Sequence, residues 1–227
     1  QIGDTLFADM SNDYICKGSE GSAALDELAA RLAPDTEIDL AVADIGMQNA
    51  ITLPGGRIVI FRGLIAESSG PDELAGILGH EIAHYRERHV MEAMIRQMTL
   101  GLVMASVGGT TGAGINDVAA LNFSRDAERE ADAEAIAMLT AANISPAPTA
   151  EFFRRMLALE EKATGGLSIP GLAQTSDFLS THPASAGRAD RFEAAAEGRG
   201  DWQPALDDTA WADVRNICGG AKEETGE

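Results

Sequence analysis

The sequence predicts an α+β chain, mostly helical, with a small antiparallel sheet. Three observations carry that prediction. Leucines and other apolar residues recur at helical spacing in several segments; alternating residues and a hairpin signal are confined to residues 38–61; and breaker and capping residues separate the periodic runs.

From Ser22 to Ala33, Leu25, Leu28 and Leu32 share one helical face, and Pro34-Asp35 ends the run. Ile38, Leu40 and Val42 then alternate as a strand does, and Ala50 to Leu53 and Arg57 to Phe61 flank Pro54-Gly55-Gly56, a hairpin turn. Ser68-Ser69-Gly70-Pro71-Asp72-Glu73 supplies breaker, capping and acidic first-turn residues. They open a long helix through Leu74, Ile77, Leu78 and Ile82 that the pattern carries past Met94. Gly108 to Gly114 reads as a flexible break, after which Ser124-Arg125-Asp126 starts a helix that Asn143 and Pro146 stop. Pro148 to Lys162, with Phe152, Phe153, Met156 and Leu159, is a further amphipathic helix. Gly165 to Thr181 reads as a long loop, helix returns after Pro183, and an acidic segment from Asp201 with Trp202 and Trp211 closes the chain.

A length of 227 residues with 45% hydrophobic content suits a single domain over residues 1–227. Lys and Arg total 17 against 36 acids, for a net charge of −19 spread along the chain, which repels polyphosphate and argues against nucleic-acid partners. The longest apolar stretch, Met98 to Val107, is about half of what a membrane span needs. The chain begins at Gln1 without a methionine, which points to a preceding signal, lipid anchor or membrane segment and hence to membrane attachment through it. Cys16 and Cys218 lie near opposite ends and lack metal-ligand spacing; the residues leave open a single bridge in an oxidising compartment or two separate thiols.

The most informative segment is His80-Glu81-Ile82-Ala83-His84, an HExxH element in the middle of the long predicted helix. Two histidines four apart project from one helical face and can hold one zinc ion, with the glutamate placed to reach a water beside it. A catalytic zinc takes three protein ligands and leaves one position open. The HExxHxxGxxH spacing is excluded by Glu87 and Val90, and a glutamate about 19 to 20 residues beyond the second histidine is excluded by Val103 and Met104. Glu128-Arg129-Glu130-Ala131-Asp132 instead puts Glu128 and Asp132 on one face with Ala135, Ile136 and Leu139. A zinc dication would supply the counter-charge that such core-facing carboxylates need, with Glu128 as ligand and Asp132 orienting a ligand histidine. Continued as a helix, the chain points His89 roughly 180° from His80, so it is read as structural and not as a ligand.

Four blocks then stand in order across about residues 38–192: Asn49-Ala50 with Leu53-Pro54-Gly55-Gly56 and the strand Arg57 to Phe61; the HExxH element with Arg88-His89; Phe123-Ser124-Arg125 with Glu128 and Ala131-Asp132; and Thr181-His182-Pro183 with Arg188. In these the chain resembles the zinc metallopeptidases of the HtpX, CAAX prenyl protease and Oma type, metallopeptidase family 48, including the periplasmic BepA and LoiP proteases. The resemblance implies a zincin-like (gluzincin) domain whose edge strand, the one after Pro54-Gly55-Gly56, flanks the zinc cleft. It implies one Zn2+ per chain on His80, His84 and Glu128, with Glu81 as general base. By the same resemblance His182 is catalytic, donating to the oxyanion or capping the zinc; Asp132 and Arg188 support the site; and Asn49, Ala50 and Ile51 bind substrate.

The chain lacks the membrane spans of HtpX and the prenyl protease and has no room for the helical repeats of BepA. The implied function is a periplasmic or envelope-associated zinc metalloendopeptidase that hydrolyses unfolded or misfolded envelope proteins. The alternative is a latent or chaperone-like zinc-binding protein with its zinc capped by His182. Gly165 to Thr181, just before His182, is read as a lid that opens on substrate binding.

Overall fold

The computed structural model describes residue 7 and residues 14–96, 123–164, 178, 181–182 and 187–219. Helix α1 (Ser19–Leu32) buries Leu25, Leu28 and Leu32, as their spacing requires. Strands β1 (Asp39–Ala43), β2 (Ala50–Leu53) and β3 (Arg57–Phe61) form one sheet in the order β1-β3-β2. The β2–β3 hairpin is antiparallel, and Gly55 and Gly56 turn it at φ 99° and 85°, a left-handed region that costs glycine little. The other pairing departs from expectation: β1 lies parallel to β3, with Asp39 opposite Arg57 and Ala43 opposite Phe61, so the sheet is mixed. A parallel pair needs a crossover, and here β2 with its flanking turns is that crossover. The strand after Pro54-Gly55-Gly56, expected at the edge, is therefore central, with both its sides paired, and β2 is the edge strand.

The two faces of the sheet bury different sets of residues. Val42, Ala50, Ile58 and Ile60 join the main core against the helices, whereas Ala43, Ile51, Leu53, Val59 and Phe61 form a smaller cluster with Phe7, Ile15 and Ile45. After the short α2 (Arg62–Glu67), α3 (Pro71–Arg86) starts with proline at its first turn and is buried from Glu73 to His84. It does not run past Met94 as one helix: Arg88 takes φ 61°, and residues 89–96 are helical again after this break. The HExxH element thus occupies the last turns of α3, not its middle.

Helix α4 (Arg125–Ala141) is capped by the Ser124 hydroxyl, which accepts from the Ala127 amide at 3.1 Å. It is followed by α5 (Ala147–Thr164), α6 (Arg188–Ala196) and α7 (Asp208–Arg215). The Met98–Val107 stretch, the Gly108–Gly114 break and most of the Gly165–Thr181 loop lie outside the described residues. Among the described residues no helix is long and apolar enough to cross a membrane.

One small residue, Gly76, lets α3 pack closely on α5. A Cβ at Gly76 would stand 1.7 Å from the Thr149 hydroxyl oxygen of α5, and one at Gly79 would touch Ala135 of α4 at 3.7 Å. At the other end of the molecule Cys16 and Cys218 are joined, 202 residues apart in sequence, which settles the two readings of the cysteines in favour of a bridge. Closing so long a loop is worth about 5 kcal/mol on the chain-entropy account. Beside it the Gly18 amide donates to the Ile217 carbonyl at 3.1 Å, holding the start of α1 against the end of α7.

Gly76→Ala should force α3 and α5 apart. The expected loss is about 1 to 3 kcal/mol, read as a lower denaturant midpoint at unchanged slope.

Candidate metal centre

His80 and His84 lie one turn apart on α3, and Glu128 and Asp132 one turn apart on α4, so each pair faces the same seam between the helices. The segment carrying His182 closes the seam, its amide bonded to the Phe178 carbonyl at 2.9 Å. His80, His84 and Glu128 are fully buried and His182 is 1% exposed. Their donor atoms converge. His80 Nε2 is 3.0 Å from His84 Nε2 and 3.2 Å from His182 Nδ1, and Glu128 Oε1 is 3.3 Å from His84 Nε2 and 3.1 Å from His182 Nδ1. One ligand atom from each of the four lies within 4.8 Å of the others.

The set fits zinc. Bonds of about 2.0 to 2.2 Å in a tetrahedral shell keep donors roughly 3.3 to 3.5 Å apart, close to the spacing seen here, and imidazole with carboxylate is a normal zinc donor set. The charge balance agrees. Glu81 Oε1 is a buried acceptor without a hydrogen-bond partner among the described residues, the condition a nearby cation relieves.

Each α3 histidine is held from behind by a different device. His80 Nδ1 is 3.2 Å from Asp132 Oδ1, and Asp132 is itself held by Arg188 at 2.7 Å and 3.0 Å and by Arg191 at 2.7 Å. Arg188, read from sequence as a supporting residue, also brings Nη1 to 2.8 Å from Glu128 Oε2 and lays its guanidinium over the Phe153 ring. His84 Nδ1 instead meets His89 Nδ1 at 3.1 Å, and His89 Nε2 lies 3.2 Å from Glu130 Oε2. For His84 to present the Nε2 lone pair to a metal, its proton must sit on Nδ1 and be donated to His89, whose own proton then goes from Nε2 to Glu130. The helical projection that turned His89 away assumed an unbroken helix; the left-handed Arg88 folds the ring back onto His84.

Glu81 is held at one oxygen only by a neutral donor. Oε2 accepts from the Thr52 hydroxyl at 2.7 Å, while Oε1 is 3.2 Å from His182 Nε2. Two aromatic rings fix the imidazoles: Phe178 stacks on His182 with centroids 4.4 Å apart, and Phe123 stacks on His84 at 4.0 Å. Ala50, Ile51 and Thr52 of β2 face Glu81, Phe123 and His182 across a small cleft. Asn49, just before β2, is buried, and its side-chain oxygen accepts from the Ala50 amide at 2.9 Å. Thr52 and Phe178 are the residues here that motif reasoning passed over; period-two alternation from Ala50 would have put Thr52 on the helix-facing side.

Electrostatics follow the same contacts. Burial alone would raise the Glu81 and Glu128 carboxyls, but His182 and the two α3 histidines outweigh it and hold both below the ordinary carboxylate range. Asp132, also pushed up by burial, is brought down to about 2 by His80 and Arg188. Burial pushes His84 down to about 3, against the pull of Glu128. His182 goes the other way: burial opposes its charge, yet Glu128 and Glu81 together raise it to about 9.

The description "Peptidase family M48" matches residues 22–196. Mitochondrial metalloendopeptidase OMA1 of Saccharomyces cerevisiae is 32% identical over 152 residues, covering 63% of this chain and 42% of that protein. Metalloprotease LoiP of Escherichia coli is 31% identical over 154 residues, 62% of this chain and 56% of its own length. The putative beta-barrel assembly-enhancing protease of Vibrio cholerae is 30% identical over 125 residues, covering 48% of this chain and 26% of that protein. The chain thus spans about half the length of these relatives or less.

The raised His182 value has a consequence for the metal-free protein. Its folded value of about 9 stands above the ordinary 6.5, so the stability from its charge is complete below pH 6.5 and is lost as pH rises through 9. Thermal unfolding in chelator should show a melting temperature that declines across that window, and His182→Ala should flatten the decline.

Proposed function

The chain belongs to peptidase family M48, and from that membership we propose that it is a zinc-dependent metalloendopeptidase of unfolded or extended polypeptides. The observation that carries the reading is the convergence of His80, His84 and Glu128 donor atoms beside a buried, singly anchored Glu81. In this reading the chain as given is one metallopeptidase domain, and those three residues hold the metal. Zinc, when bound, supplies a Lewis acid that polarises a peptide carbonyl and brings the pKa of water to about 7.

The chain's own groups do the rest. Glu81 takes a proton from the attacking water through Oε1, the oxygen that Thr52 leaves unbonded, and returns it to the leaving amine. Asp132 and Arg188 keep His80 oriented from behind, and His89 does the same for His84. Ala50 and Ile51 line the cleft where a substrate chain would lie along β2, held by backbone hydrogen bonds that read little sequence, and Asn49 stands just before them. That indifference to side chains supports action on unfolded proteins. A bridge between Cys16 and Cys218 suits an oxidising compartment and so supports a periplasmic or envelope location, where the proposed role is protein quality control.

One observation favours a second reading. His182 Nδ1 stands among the donor atoms as a fourth ligand would, which suits a latent or chaperone-like form capped by that residue.

Casein hydrolysis by the zinc-loaded chain separates these readings. Glu81→Gln should lower turnover by about 10² to 10⁴ while about one zinc per chain is retained. His182→Ala should raise the rate if the residue is a cap and lower it if it donates to the oxyanion. Zinc bound with no cleavage by wild type would leave the latent reading.

A further inference from the structure

We propose that Thr52 is the positioning residue of the general base, through which the edge strand β2 sets the orientation of Glu81. The inference rests on the peptidase reading above. Thr52 is 6% exposed, and alternation along β2 turns Ala50 and Thr52 towards α3 while Ile51 and Leu53 pack on the opposite face with Val59 and Phe61. Its hydroxyl has one proton to give. The Glu81 Oε2 carboxylate oxygen, 2.7 Å away and charged, is the favoured acceptor, and the Glu81 carbonyl oxygen lies farther off at 3.1 Å.

The grip is one-sided. A glutamate carboxylate turns easily about its last torsion, so a single charge-assisted bond at Oε2 fixes which oxygen points where. It leaves Oε1 without a hydrogen-bond partner, directed to the side where His182 Nε2 stands 3.2 Å off. Valine at position 52 would keep the shape and lose the anchor.

The backbone of the same residue faces the side of β2 that pairs with no strand among the described residues. The Phe61 amide donates to the Asn49 carbonyl at 3.0 Å, and Ala50 lies opposite Ile60, so Asn49 and Phe61 are a hydrogen-bonded pair. By antiparallel alternation Ile51 and Leu53 turn their amides and carbonyls to β3, whereas those of Ala50 and Thr52 turn outward. The Ala50 amide already serves the Asn49 side chain. An extended peptide added to this edge therefore pairs with the residue whose hydroxyl holds the base, and strand engagement and base alignment are coupled through one side chain.

The experiment compares wild type, Glu81→Gln, Thr52→Val and Thr52→Ser, all zinc-loaded, on an unstructured peptide substrate, with kcat and KM resolved and zinc content measured. Thr52→Val should lower kcat about tenfold to a hundredfold, as loss of a hydrogen bond to a charged group does, with KM within about twofold and zinc retained. Thr52→Ser, which keeps the hydroxyl, should restore most of kcat. Difference infrared spectra against Glu81→Gln should show the Glu81 carboxylate band shifted in Thr52→Val and not in Thr52→Ser. If the valine variant does not fold cooperatively, Thr52→Ala is read against Thr52→Ser in the same way. Unchanged kcat in Thr52→Val, a change confined to KM, or equal losses in the valine and serine variants would overturn the inference while an active wild type and an inactive Glu81→Gln leave the peptidase reading standing. An inactive wild type would overturn both.

Discussion

Buried negative charge is the constraint around which this fold is arranged. Glu81, Glu128 and Asp132 are all removed from solvent, and unpaired carboxylates in such surroundings cost several kcal/mol each. The buried cation set against them is Arg188, with Arg191 reaching in from a partly exposed position. A protonated His182 completes the balance in the metal-free protein. The pairing ties elements together: Asp132 and Glu128 bring α4 to α3, Arg188 and Arg191 bring α6 to α4, and Glu81 brings α3 to β2.

Much of this was legible in the sequence, and the losses have physical causes. The HExxH element and the Glu128–Asp132 pair obey helical spacing, so their faces could be assigned without a structure. The hairpin was legible because only glycine tolerates the two left-handed positions its turn needs. Parallel addition of β1 was not, since alternation within a strand says nothing about the direction of its neighbour. His89 was misplaced because one left-handed residue, Arg88, redirects the chain, and arginine does not advertise that conformation. Thr52 carries no motif at all; its role depends on a hydrogen bond to a residue 29 positions away.

The two α3 histidines are not electrostatically equivalent. His80 is backed by a carboxylate fixed by two arginines, an arrangement that holds the orientation of the ring. His84 is backed by another imidazole, which passes its proton outward to Glu130, itself 66% exposed. Its outer support therefore ends in solvent, where hydrogen bonds are weak and exchange readily with water. Of the two, His84 is the softer attachment, and aromatic stacking from Phe123 compensates by restraining its ring.

The bridge between Cys16 and Cys218 also decides how the domain answers to force. A polypeptide pulled from a point before Cys16 and a point after Cys218 transmits tension through one covalent bond, and the chain between them lies outside the line of pull. The helices, the sheet and the site are then mechanically shielded, and they unravel under tension only after the sulfur–sulfur bond is cut. A reductant in the surroundings would thus change the mechanical behaviour of the molecule before it altered any contact at the centre.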